Sequence, residues 1–216
     1  MTDSIDDLVA QVRTADLVDA MGRLHRHRCH VLDLVSPTPG RSLFGQAATI
    51  SYFPTCEAAL DPERFNFARL FYEAVGDRPE GKVLVLAGNG HRDISLGGGT
   101  KVSRAHNHGM AGILADGRLR DFDELAGYDM AVYCAGQATR WGGDVVTPFQ
   151  ADVPVVIGGV GVMPGNYIFA DSSGAVVIPE PQIRDVLEGA LAVTAEDAAA
   201  IESIKIENPT TASGDH

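Results

Sequence analysis

The apolar residues of this chain follow two rhythms, one helical and one alternating or continuous, and together they predict a mixed α/β order. Residues 4–21 place Ile5, Leu8, Val9 and Val12 at helical spacing, and Thr14 stands where it can cap a second piece, ADLVDAM, that stops at Gly22. VLDLVSPTPG (31–40) reads as a strand entering a Pro/Gly loop. SLFGQAATISYF (42–53) reads as a strand with a bulge at its glycine. In 62–76, Phe67, Leu70, Phe71 and Ala74 share one helical face and Gly76 closes the helix. KVLVLAG (82–88) is a continuous apolar run, the kind of strand buried on both faces. Thr100–Asn107 is a helix and Met110–Ala115 the next strand, so a β–loop–α–β unit forms around a glycine-rich loop. Asp129–Cys134 is a further strand. Residues 144–162 hold two strands split by Pro148 and a polar turn. YIFAD and AVVIP form a hairpin across Ser172–Gly174, and Pro181–Glu202 is a helix with Ile183, Val186, Leu187 and Ala190 on one face.

No repeat or linker divides the 216 residues, so we expect a single domain over 1–216, with 207–216 a disordered tail. A hydrophobic content of 45% suffices for a proper core. The formal net charge of −12 repels a phosphate backbone, which argues against nucleic acid as a partner. No apolar run is long enough for a membrane span, and the acidic start lacks the basic flank of a signal peptide. Cys29, Cys56 and Cys134 are odd in number and far apart, as expected of reduced thiols in a cytoplasmic protein.

The chemistry concentrates in 97–121, GGGTKVSRAHNHGMAGILADGRLRD. A glycine-rich entry to a helix offers backbone N–H groups to a carboxylate or phosphate. Adjacent Arg120 and Asp121 divide two tasks, since a guanidinium grips a carboxylate in a fork and a carboxylate holds a hard cation. Asp116, Asp121, Asp123 and Glu124 form an acidic cluster that reads equally well as a solvated loop or as a metal site. Other candidates carry less. HRHRCH (25–30) lacks zinc spacing and reads as a solvated basic segment. His106 and His108, two apart on a helix, cannot share a face. GGVGVMPG (158–165) lacks the spacing of a nucleotide loop and reads as turns.

Several stretches together resemble the RraA-like family over roughly residues 14–190: TADLVDAMG, GQAATI, KVLVLAGNG before GGG, the central GMAGILADGRLRD with DEL, and PGNYIFADSSGAVVIP. That family includes the class II 4-hydroxy-4-methyl-2-oxoglutarate / 4-carboxy-4-hydroxy-2-oxoadipate aldolases and the RraA regulators of ribonuclease E. The resemblance implies a compact α/β fold of stacked β-layers with flanking helices (a swivelling β/β/α type). It also implies assembly as homotrimers or hexamers with sites at subunit interfaces. In the aldolases the Arg of the RD pair binds the oxo acid and stabilises its enolate, and the Asp ligates Mg²⁺ or Mn²⁺; here these are Arg120 and Asp121. The substrate carboxylate is implied to sit on the backbone of the glycine-rich entry, Gly98, Gly99, Thr100 and Lys101. Glu196 or Asp197 from a neighbouring subunit's C-terminal helix is implied in the outer shell of the metal, with Glu196 taken as the candidate. One position departs from the pattern: the aldolases carry an Asp where this chain has Gly99.

The function this implies is a metal-dependent lyase. It would act on a small 2-oxo acid, by retro-aldol cleavage of a 4-hydroxy-2-oxo acid or by decarboxylation of oxaloacetate through a pyruvate enolate. The alternatives are a non-catalytic regulator binding a ribonuclease or another protein, or a different reaction on the same scaffold. A methyltransferase label also attaches to this family, but no pattern here would hold S-adenosylmethionine. Lys101 is the only lysine near the expected site; the Arg–Asp pair favours a metal over a Schiff base there.

Overall fold

A computed structural model describes residues 4–207, and the tail expected to be disordered lies outside them except for Glu207. Two short helices, α1 (Ile5–Val9) and α2 (Thr14–Leu24), precede the sheet. Ser4 caps α1. Thr14 does not cap α2: it is the first helical residue, Arg13 holds the cap position, and the helix runs through Gly22 to Leu24. The N-terminal turn is fixed instead by two carboxylates, Asp16 accepting the Arg13 N–H at 3.1 Å and Asp171 accepting the Thr14 N–H at 2.9 Å.

The first strand, β1, is only His30–Val31. Asp33 takes a left-handed backbone (φ 57°) and Pro37 and Pro39 follow, so the run 31–40 cannot continue as a strand. The twelve-residue β2 (Leu43–Pro54) is the spine of the molecule. Its bulge lies between Ser51 and Tyr52, not at Gly45. Gly45 is required for another reason: a Cβ there would strike the Gly81 carbonyl.

Helix α3 (Phe67–Val75), capped by Asn66 and closed by Gly76, leads to β3 (Val83–Ala87). The polar loop after β3 contains a strand that its glycines concealed, β4 (Ser95–Gly97), before α4 (Gly99–Asn107) and β5 (Gly112–Ala115). A two-residue strand, β6 (Arg118–Leu119), and a one-turn helix, α5 (Phe122–Leu125), precede β7 (Ala131–Tyr133). Residues 144–162 form three strands, where two were expected: β8 (Val146–Ala151), β9 (Val155–Ile157) and β10 (Val160–Val162). Pro148 lies inside β8, which pairs with β2 alone and sets Pro148 opposite Tyr52 at the bulge. Gly158 and Gly159, both at positive φ, make the tight turn between β9 and β10. The hairpin β11 (Tyr167–Asp171) and β12 (Gly174–Ile178) and a long helix α6 (Ile183–Lys205) complete the order.

The main sheet runs β1-β12-β11-β2-β3-β5-β7, with β8 also on β2. From β2 to β7 the strands are parallel, and β11 and β12 are antiparallel. β3 is buried throughout and serves two cores by alternation. Leu84 and Leu86 face α3 and α4 with Phe71, Val102 and Leu119, whereas Val83, Val85 and Ala87 face the β9–β10 hairpin through Ile157 and Val162. A third apolar cluster joins α1, α2 and α6 to Phe169, Val176 and Ile178. Stacked β-layers with flanking helices are the architecture the family resemblance implied. Among the described residues, no helix is long and apolar enough to cross a membrane.

Candidate active site

The site is built by two short strands. β4 and β6 pair in parallel, Ser95 with Arg118 and Gly97 with Leu119, and the Arg120 N–H donates to the Gly97 carbonyl at 2.9 Å. This small ribbon brings the glycine-rich entry of α4 against the Arg120–Asp121 turn. The entry and Arg120 line a cleft of about 330 Å³ with Tyr52, Phe67, Trp141 and Thr147. Of the expected site residues, Gly98, Thr100, Lys101 and Arg120 line it; Gly99 and Asp121 do not.

Asp121 takes a left-handed backbone (φ 64°, ψ 40°), uncommon for a residue with a side chain and frequent at functional turns. Its Oδ2 accepts the Gly99 N–H at 2.8 Å. A Cβ at Gly98 would fall on that same oxygen, and a Cβ at Gly99 would fall on the Glu124 carboxylate. The two glycines are therefore the space in which two carboxylates approach the backbone. Glu124 Oε1 accepts the Tyr128 hydroxyl at 2.8 Å, and Tyr128 in turn stacks on His106 at 4.9 Å.

Two of the expected backbone donors are already engaged. The Gly99 N–H goes to Asp121, and the Lys101 N–H to the Gly98 carbonyl at 2.9 Å. What Lys101 contributes to the cleft is its side chain. Nζ donates to the Leu96 carbonyl at 2.9 Å and lies 3.3 Å from the Tyr52 hydroxyl, over the rings of Tyr52 and Phe67. Burial, and then the nearby Arg120 charge, lower its pKa from 10.5 to about 8. Tyr52 is fully buried, donates to the same Leu96 carbonyl at 2.6 Å, and its phenol is pushed upward by burial.

The acidic cluster separates in space. Asp121 and Glu124 meet beside Gly98–Gly99, whereas Asp116 accepts the Gly88 N–H at 2.6 Å and lines another cavity with Asn89 and Arg92. Burial raises the Asp116 pKa. Glu196 does not line the cleft: within one chain it forms a two-point ion pair with Arg23 at 3.1 and 2.6 Å. His106 and His108 have different partners, His108 lying 3.3 Å from the Tyr72 hydroxyl. In the 25–30 segment, Arg26, His27 and Arg28 are exposed, but Cys29 is 5% exposed and belongs to the third core.

The donor set fits a hard divalent cation. Asp121 and Glu124 are both exposed, each offers oxygen only, and each keeps one oxygen clear of its own hydrogen bond. Among the described residues no cluster of three His, Cys, Asp or Glu side chains closes a cage. The set therefore suits an ion that keeps much of its water, as Mg²⁺ does, more than one stripped by nitrogen and sulfur ligands. Sequence reasoning placed Asp121 here but left Glu124 within a loose cluster. The signal that could have singled it out is its i, i+3 spacing from Asp121.

Comparison with known proteins identifies the family. The family model RraA-like (Aldolase/RraA) matches residues 14–177. A Pseudomonas syringae protein named "Putative 4-hydroxy-4-methyl-2-oxoglutarate aldolase" is 32% identical over 169 residues, covering 78% of this chain and 94% of that protein. A match to Legionella pneumophila DlpA, 27% identical over 163 residues, covers 76% of this chain but only 26% of that longer protein. Among solved structures, an uncharacterised P. syringae protein superposes with a TM-score of 0.80 at 25% identity, covering 96% of this chain and 91% of its own. Streptomyces coelicolor RraAS2, described as an unusual member of the RNase ES inhibitor RraA family, shares the fold with a TM-score of 0.78 at 24% identity, over 95% of this chain and all of its own. The chain belongs to the RraA-like family.

Proposed function

We propose that the chain is a divalent-metal-dependent lyase acting on a small 2-oxo acid, through the enolate of pyruvate. The observation that carries the reading is the glycine entry of α4, which lines one cleft with Arg120 and has the Asp121 and Glu124 carboxylates against its Gly98 and Gly99. Its support from relatives is the aldolase name borne by proteins about a third identical.

Asp121 and Glu124 would hold Mg²⁺ or Mn²⁺, with Glu196 of a neighbouring subunit in the outer shell of a homotrimer or hexamer. When bound, the cation supplies Lewis-acid stabilisation of negative charge on the oxo acid. Arg120 grips the substrate and adds fixed positive charge where the enolate oxygen develops. Thr100 lines the cleft at the start of α4, and the N–H groups of a helix entry suit a carboxylate. In retro-aldol cleavage the C4 hydroxyl loses its proton, the C3–C4 bond breaks and its electron pair enters the C2–C3 enolate. Protonation at C3 then yields pyruvate. In oxaloacetate decarboxylation the same pair is left by departing CO₂. This reading assigns no Schiff base to Lys101, because the Arg120–Asp121 pair beside the glycine entry suits a metal-dependent route.

The half-reaction common to both is exchange of the pyruvate methyl protons with solvent. Proton NMR in D₂O with Mg²⁺ is expected to show exchange that EDTA abolishes. No exchange above a metal-only control would sink the lyase reading and leave the regulatory reading, in which the same surface binds a protein partner.

A further inference from the structure

Trp141 is the only tryptophan of the chain, and it stands where the cleft meets solvent. It lines the cleft and is 63% exposed, whereas the other aromatic side chains of the lining, Tyr52 and Phe67, are buried. An exposed indole is a large apolar surface left in water. Among the described residues its ring N–H has no hydrogen-bond partner. The backbone around it is pinned on both sides and open in between. On the entry side the Ala138 N–H donates to the Leu119 carbonyl at 2.9 Å, and Arg118 Nη1 to the Gln137 carbonyl at 3.0 Å. On the exit side the Gly142 carbonyl accepts the N–H groups of Val145 and Val146, at 3.0 and 2.9 Å, and the Gly143 carbonyl accepts the Thr55 hydroxyl at 2.9 Å. Among the described residues, Thr139, Arg140 and Trp141 make no backbone hydrogen bond. An ion pair between Arg140 and Asp144 ties this tip at the surface, where such pairs are weak. The two glycines that follow are required here. A Cβ at Gly142 would stand 2.3 Å from the Ser95 carbonyl, and one at Gly143 would stand 2.1 Å from the Trp141 ring. Their absence of side chains lets the tip lie close on β4 and gives the indole a seat on backbone.

We infer that Trp141 covers the ligand bound in this cleft: its indole lies against the acid held at Arg120, and its exposed face is the surface that binding buries. The open tip of residues 139–141 lets the ring settle on the ligand while the pinned flanks stay in place. The inference rests on the reading of the cleft as a 2-oxo acid site. It adds a contact residue that lies outside the Arg–Asp motif, on the loop between β7 and β8.

A single tryptophan makes its own fluorescence the readout. The full chain with Mg²⁺ is titrated with pyruvate while emission and quenching by acrylamide, a neutral quencher, are followed; calorimetry measures binding separately. We expect the ligand-free protein to be readily quenched. Pyruvate should move the emission to shorter wavelength and lower the quenching constant about twofold or more, as a pocket enclosing most of its ligand requires. Trp141→Ala should weaken pyruvate binding about tenfold, the scale of one aromatic contact. Its urea midpoint should be unchanged, because the side chain is exposed, and Trp141→Phe should keep most of the affinity. Pyruvate bound by calorimetry with no change in quenching, or unaltered affinity in Trp141→Ala, would overturn the covering role and leave the oxo-acid site standing. Strong protection from acrylamide before any ligand is added would also overturn it, by showing that the indole is already covered. No binding of pyruvate would overturn the oxo-acid reading and this inference with it.

Discussion

Asp121 Oδ2 accepts the N–H of Gly99 at 2.8 Å, which ties the metal-suited turn directly to the helix entry where the aldolase pattern has a carboxylate and this chain has none. The space at residue 99 is taken by the Glu124 carboxylate arriving from α5. Glu124 is thus placed to stand in for the missing side chain. We expect Glu124→Gln to weaken Mn²⁺ binding about tenfold, the usual scale for a carboxylate supporting a metal. Gly99→Asp alone must displace the exposed, movable Glu124 and should change affinity little. Gly99→Asp combined with Glu124→Ala should recover what Glu124→Ala loses. Calorimetry with Mn²⁺ checks this, and additive losses in the double variant would show that the two positions do not share one role.

Arg120→Lys keeps a charge but loses the planar fork, and Asp121→Asn removes an anionic ligand. Asn tolerates the left-handed backbone and its amide oxygen can still accept the Gly99 N–H, so the turn should persist. Each substitution is expected to lower turnover of an oxo acid by about a hundredfold or more, the scale of losing one aligned electrostatic group. Unchanged far-ultraviolet circular dichroism with full activity in either variant would place the chemistry elsewhere.

The elements legible in the sequence were those whose own pattern sufficed. The run KVLVLAG needs no partner to be recognised as a buried strand, and the face of Phe67, Leu70, Phe71 and Ala74 needs none to be a helix. β4 and β6 were illegible because a strand of two or three residues has no period; their pairing exists only once β3, α4 and β5 are folded around them. Arg120 and Asp121 stood out because they are adjacent. The relation of Glu124 to Gly99 did not, since only the β4–β6 ribbon makes the two neighbours. The place of the Lys101 side chain was not legible for a related reason: its stem packs beside Gly97, where no side chain occupies the room.

Glu196 is joined to Arg23 in the single chain, and both side chains are more than half exposed. Such a solvent-screened pair contributes little to stability, so it can be exchanged for a stronger contact across a subunit boundary. We expect light scattering to show a trimer or hexamer. We also expect Glu196→Gln to weaken Mn²⁺ binding about tenfold in that assembly. A monomer at micromolar concentration with Mg²⁺, or unaltered Mn²⁺ affinity in the variant, would remove Glu196 from the site.

Lys101 makes the folding stability of the protein depend on pH in a direction that can be worked out. Its pKa is about 8 in the folded chain and 10.5 in the reference state. Between those values the unfolded chain binds a proton that the folded chain has released, so stability rises with pH across that window. Below pH 8 the cost of the buried charge is present in full, with a ceiling of ~3 kcal/mol at about 1.4 kcal/mol per pKa unit. The facing groups do not cancel this: Arg120 adds a like charge and no counter-charge, and the Tyr52 phenol, pushed upward by burial, stays neutral. Lys101→Met removes the titration. It should therefore be more stable than the unmodified protein near pH 7, by an amount that shrinks toward pH 9.5. Urea unfolding of both proteins at the two pH values measures the gap. A gap of constant size would mean that the Lys101 amine is as well solvated in the folded cleft as in the unfolded chain.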